Sequence, residues 1–204
     1  MLSTILNIQD ISASNSNSLD SGNHHERQLW QNLRKGKVEA LEGLFRLFYA
    51  LLYDYGLKLS GQEELVKDCV QETFVTIWEK RKRLAQPASV KAYLLVSLRR
   101  QVLKAIERQT KSRNAYQEYG QEQPVEVLSA EDLLILAEMS DSEKRRLRDA
   151  FATIPARMRE ALYLKTYDGL SYREIAEVMD ISSQVARNYV SEAFKRLKEL
   201  LASP

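Results

Sequence analysis

Residues 171–190 read SYREIAEVMD ISSQVARNYV, and the two short helices encoded there decide the fold of the C-terminal part of the chain. Ser171-Tyr172-Arg173-Glu174 has the form of a capping box, in which the serine hydroxyl receives an orphan amide and the glutamate reaches back to the cap. The helix it starts is expected to end near Met179, with Ile175, Ala176 and Met179 on its inner face. After only Asp180 and Ile181, Ser182 caps a second helix, whose inner stripe is Ala186, Val190, Ala193, Leu197 and Leu200 or Leu201. Upstream, Pro155 suits the first turn of a helix running to Tyr167, and Gly169 supplies the left-handed residue that ends it. Two capped helices across so short a turn form a helix-turn-helix, which lets the second helix project into a DNA major groove.

The outward face of that second helix carries Ser183, Gln184, Arg187, Asn188, Ser191 and Lys195, a set able to read base edges and hold phosphates. Arg187 and Asn188 are the best base readers among them. A solvated surface helix would carry the same residue types, and Glu192, on or beside that face, repels phosphate.

With 44% hydrophobic residues in 204 positions, the chain can bury ordinary cores, so folded domains are expected. Only seven Gly and four Pro interrupt long Leu-, Ala-, Glu-, Lys- and Arg-rich stretches, which predicts an all-α protein. The single cysteine, Cys69, excludes an internal disulfide and fits a reducing cytoplasm as a small core residue. His24 and His25 have no cysteine near them, so no metal site is expected. The apolar stretch from Leu41 to Leu59 contains Glu42, Arg46, Asp54 and Lys58, too much charge for a membrane span. The N-terminus shows no secretion signal, and cytoplasmic localisation follows.

The net charge of +2 conceals a segmented pattern. Residues 1–79 carry −4, residues 80–113 carry +10, residues 114–143 carry −8 and residues 144–204 carry +4. Two basic segments joined by an acidic connector suggest two contacts with a polyanion and a linker that avoids it. The expected organisation is a disordered leader at 1–24, a first domain at 25–112, an acidic linker at 113–140 and a second domain at 141–204. Within the first domain the spacing predicts helices near 26–35, 37–59, 62–83 and 89–112, broken at Gly36, Gly61 and the 85–88 turn. A short helix is expected at 130–139 in the linker.

On the third of these helices, Val66, Val70, Phe74, Ile77 and Trp78 form a core stripe. Asp68, Gln71, Glu72, Val75 and Glu79 lie opposite, as either a solvated face or a dock for a basic partner helix. On the fourth helix Leu94, Leu95, Leu98, Val102 and Ile106 face inward, while Arg100, Lys104, Arg108 and Lys111 share another face. Four like charges at such spacing repel one another, and binding to a phosphate backbone offsets that repulsion. Tyr93 serves either as core or as a stacking platform for an unpaired base.

In this order the pieces resemble an extracytoplasmic-function sigma factor, the minimal two-domain type of the sigma-70 family, over about residues 26–202. The most telling match is Asp68-Cys69-Val70-Gln71-Glu72-Thr73-Phe74, similar to that family's Asp-x-x-Gln-Glu-x-Phe signature, followed by Trp78. The resemblance implies core RNA polymerase binding through Asp68, Gln71, Glu72, Val75 and Glu79. It implies recognition and melting of the minus-10 element through the 84–90 loop and following helix, with Gln86, Ser89, Tyr93, Arg99, Arg100, Lys104 and Arg108. It assigns minus-35 reading to the helix from Ser182 to Lys198. Promoter DNA and an anti-sigma protein are the further partners it suggests; it implies no catalytic residue, cofactor or small-molecule substrate.

Ser97-Leu98-Arg99-Arg100, Val185-Ala186 and Glu192 depart from residues common in the family at those places. The main rival reading is a dimeric helix-turn-helix regulator acting without polymerase. No paired carboxylates, phosphate loop or nucleophile with a base supports an enzyme.

Overall fold

The computed structural model describes residues 16–114 and 141–202, all-α as expected, with no strand among the described residues. The helices fall into two compact units. The first holds α1 (Ser16–Arg34), α2 (Val38–Ser60), α3 (Glu63–Lys80), a 3-10 turn (Arg81–Arg83) and α4 (Val90–Asn114). The second holds α5 (Asp141–Ala152), α6 (Ala156–Thr166), α7 (Tyr172–Met179) and α8 (Ser183–Ala202).

One expectation needs correcting: residues 16–24, placed in a disordered leader by their polar composition, form the first turns of α1. The cause is cooperative. Trp30 and Leu33 are fully buried and fix the C-terminal half of α1; each residue then added upstream gains a backbone hydrogen bond without a new nucleus. Residues 1–15, the linker residues 115–140 with the short helix expected at 130–139, and the side chains of Leu200 and Leu201 lie outside the described residues.

In the first unit α2 packs against α1, α3 and α4. Its buried positions, Leu44, Phe48, Leu52, Tyr55 and Leu59, recur every three or four residues, the spacing of a single helical face. Gly56 lets α2 approach α3 closely, because a Cβ there would lie only 2.8 Å from Val66 Cγ1. Val66, Val70, Phe74 and Ile77 on α3 and Leu94, Leu95, Leu98 and Val102 on α4 are buried as the periodicity predicts. Trp78 and Ile106 are half-buried, and the Arg81 guanidinium covers the Trp78 ring at 4.1 Å.

In the second unit α8 packs on α5, α6 and α7. Ile175, Ala176, Met179, Ala186, Val190, Ala193 and Leu197 are buried. The capping box forms: Glu174 N–H donates to Ser171 Oγ at 3.2 Å, and Ser171 N–H donates to Glu174 Oε2 at 2.8 Å. Such a cap is worth about 1 kcal/mol. Gly169 adopts φ 66 at the end of α6, a left-handed conformation that favours glycine. Asp180 takes the same region, φ 54, at the start of the turn; its short polar side chain tolerates that backbone better than most. The Val185 amide donates to Ser182 Oγ at 3.2 Å, which starts α8. Arg157 reaches from α6 to the Met179 carbonyl at 3.2 Å and ties the end of α7 to its neighbour. Among the described residues no helix is long and apolar enough to cross a membrane.

Candidate nucleic-acid interface

The outward side of α8 exposes Ser183, Gln184, Arg187, Asn188, Ser191 and Lys195. Its polar groups are partly ordered within the helix. Gln184 Nε2 donates to Asn188 Oδ1 at 2.9 Å, and Lys195 lies 3.9 Å from Glu199. Glu192, a repulsive charge by sequence, accepts from Arg196 Nε at 2.9 Å, so one turn of the same helix offsets it.

Two residues absent from the sequence-based set support this face. Tyr172, the first residue of α7, lies under the Arg187 guanidinium at 5.0 Å, and Lys165 of α6 approaches the same ring at 5.1 Å. Lys165 is itself held by the Leu170 carbonyl at 3.2 Å. An aromatic platform orients a guanidinium without neutralising it. Helical periodicity does not reveal the contact, since Tyr172 and Arg187 belong to different helices.

On α3 the five residues Asp68, Gln71, Glu72, Val75 and Glu79 are all exposed on the side away from the core stripe. Val75 leaves 42% of its surface in solvent among carboxylates and an amide. Cys69 is buried beside them, and burial pushes its thiol above the ordinary value of 9.0, with Asp68 and Glu72 adding to the shift. Because the folded state holds that proton more tightly, stability is intact below about pH 9 and falls as pH rises toward the folded value. Urea unfolding across this window should show the wild type losing stability relative to Cys69→Ala; a pH-independent difference between the two would refute the assignment.

On α4 Arg100, Lys104 and Arg108 are exposed and Arg99 is half-buried. Lys111 forms an ion pair with Glu107. The exposed Gln86 and half-buried Ser89 belong to the preceding loop. The Ser89 hydroxyl accepts from the Ala92 amide at 3.2 Å, so it also caps α4. Tyr93 is half-buried, with its ring meeting Trp30 edge-on at 5.0 Å. Trp30 Nε1 in turn donates to the Ala85 carbonyl at 3.0 Å, and Arg27 donates to the Ala88 carbonyl at 3.3 Å. The loop is thereby fastened to α1 at two points. Trp30, missed as a determinant of this surface, carries a sequence signal only as a large apolar residue beside Leu33.

Two family models match the chain in order: "Sigma-70 region 2" over residues 44–112 and "Sigma-70, region 4" over residues 144–197. The ECF RNA polymerase sigma factor SigL of Mycobacterium tuberculosis is 27% identical over 173 residues, spanning 80% of this chain and 92% of its own. Among solved structures, the sigma factor RpoE of Bartonella quintana, in complex with the anti-sigma factor NepR, is similar at TM-score 0.57 and 22% identity, covering 79% of this chain and 96% of that one. CnrH, in complex with the cytosolic domain of CnrY, is similar at TM-score 0.59 and 19% identity, covering 87% and 97%. These last two likenesses establish the shared fold. Together the two matched regions span more than half of the sequence, and the chain belongs to the sigma-70 family, in its extracytoplasmic-function group, whose members act in transcription initiation with RNA polymerase as non-enzymatic factors.

Proposed function

We propose that this sigma factor docks on core RNA polymerase through α3, recognises and melts the minus-10 element with the 84–90 loop and α4, and reads the minus-35 element with α8. The observation that carries this reading is the separation of surfaces within the first unit. An acidic, amide and apolar face on α3 suits a basic protein partner, and the exposed Arg100, Lys104 and Arg108 on α4 suit a phosphate backbone. Residues 25–112 then act as the polymerase and minus-10 domain, residues 141–204 as the minus-35 domain, and the acidic 113–140 segment as the linker between them, in the cytoplasm.

The test is run-off transcription from a genomic promoter library with purified core polymerase, with and without this protein and with a Gln71→Ala, Glu72→Ala variant. New transcripts that need the protein and weaken several-fold in the variant support the assignment. Promoter binding without core, and no new transcripts, would favour a dimeric regulator instead.

A protein antagonist is a further proposed partner, supported by the anti-sigma factor bound to the similar RpoE. Pull-down from cells should recover a stoichiometric partner besides polymerase. Recovery of polymerase alone would count against it.

A further inference from the structure

Near the start of α8, Gln184 and Asn188 are both exposed, and Gln184 Nε2 donates to Asn188 Oδ1 at 2.9 Å. Their backbone is held from behind. Ala186, midway between them, and Val190 are buried in the core of the second unit. The Ala186 amide donates to the Ser182 carbonyl at 2.9 Å, and the Val185 amide to Ser182 Oγ at 3.2 Å. Arg187 leans on the Tyr172 ring of α7 rather than on either side-chain amide. Among the described residues neither amide takes a second partner.

A side-chain amide carries two hydrogens on nitrogen and two lone pairs on oxygen. The bond within the pair uses one hydrogen of Gln184 and one lone pair of Asn188. Asn188 keeps both Nδ2 hydrogens and one Oδ1 lone pair, side by side on a planar group. That is the complement of adenine in the major groove, whose N6 amino group donates and whose N7 accepts. Guanine sets the acceptor O6 against Oδ1, cytosine offers only a donor, and thymine offers an acceptor beside a methyl group. The bond also decides which way round the Asn188 amide stands. A half-turn of that amide would bring Nδ2 against Gln184 Nε2, donor to donor. An amide held in one orientation before DNA arrives loses less freedom on binding.

We propose that Asn188 reads an adenine of the minus-35 element through both polar atoms of its amide, and that Gln184 is a positioning residue that sets the polarity of that amide. The inference rests on the minus-35 reading above and deepens it to one base. The placement fits, because recognition helices contact base edges with their N-terminal residues. An amide pair four residues apart also steadies a helix without any DNA. The two roles differ in what they do to base preference.

The test uses holoenzyme made from the full chain and a promoter recovered from the run-off library, with all four bases placed in turn at each minus-35 position. Wild type should prefer adenine at one position by roughly 10- to 100-fold, the discrimination of a bidentate contact. Asn188→Ala should abolish that preference and leave the other positions unchanged. Asn188→Asp keeps an acceptor for Gln184 but has no hydrogen to give N7, so preference at the same position should move from adenine toward cytosine. Gln184→Met, of similar length and without the hydrogen bond, should lower the adenine preference roughly 2- to 10-fold in the wild-type background, the worth of one hydrogen bond. Added to Asn188→Ala it should change that preference no further, since the two act as one unit. Equal weakening of all sequences by Asn188→Ala, a preference for another base at its position, or an effect of Gln184→Met that persists without Asn188 would overturn the assignment. If wild-type holoenzyme starts transcription yet discriminates at no minus-35 position, the minus-35 reading itself fails, and the proposal falls with it.

Discussion

Replacing Trp30 with Ala is expected to destabilise the first helical unit by about 3–5 kcal/mol, the usual cost of emptying a large aromatic site in a core. The side chain is fully buried. Its loss also removes the hydrogen bond to the Ala85 carbonyl and the edge contact with Tyr93. A loss of that size lowers the melting midpoint of a unit of about 100 residues by more than about 10 °C. The protein has two tryptophans, so in the variant Trp78 alone reports on the unit that contains both. Thermal melts followed by its fluorescence measure the effect directly. A midpoint within a few degrees of wild type would mean that α1 is an accessory to this fold rather than part of its core.

A milder substitution separates stability from position. Trp30→Phe keeps most of the apolar volume but lacks the indole N–H. It should cost less stability than Trp30→Ala while still releasing the Ala85 carbonyl. If the fastened loop matters for strand opening, Trp30→Phe holoenzyme will bind a premelted promoter nearly as well as wild type and open a closed duplex more slowly.

The second large effect is expected at Arg187. A bidentate arginine contact to guanine contributes about 1–3 kcal/mol of discrimination, so Arg187→Ala should weaken binding to the minus-35 duplex by roughly 10- to 100-fold and relax preference at one base pair. Lys195→Ala serves as the contrast. As a phosphate contact, it should weaken all sequences alike and reduce the salt slope by about 0.9. Titration of holoenzyme against a set of minus-35 duplexes, each changed at one position, distinguishes the two patterns. Uniform weakening by Arg187→Ala would demote it from base reader to phosphate contact. The ring of Tyr172, 5.0 Å from the guanidinium, enters the same measurement. Tyr172→Leu should shift binding in the direction of Arg187→Ala, and Tyr172→Phe, which retains the platform, should not.

Much of the fold is legible because its determinants are local. The Ser171 and Glu174 cap, the glycine at 169 and the Ser182 cap act over three or four residues, and each forms as its spacing predicts. The buried stripes of α3, α4, α7 and α8 follow from the helical period alone, as does the exposure of Asp68, Gln71, Glu72, Val75 and Glu79 opposite one of them. Glu192, which the sequence presents as a charge that repels phosphate, is paired in the structure with Arg196 one turn further on.

The start of α1 was less accessible. Residues 16–24 are polar and show no apolar stripe, and their helicity depends on the anchored segment that follows them. Composition thus misjudged a stretch whose conformation is propagated from its neighbour.

Sequence by itself determined the all-α class, the capped helix-turn-helix, the exposed faces and the alternating charge of successive segments, because periodicity and charge are properties of neighbouring residues. Only tertiary structure decided that Trp30 fastens the 84–89 loop and touches Tyr93, and that Tyr172 carries Arg187 and Lys165. The physical reason is shared: each joins residues from separate elements, and their meeting depends on how the helices pack rather than on any spacing along the chain.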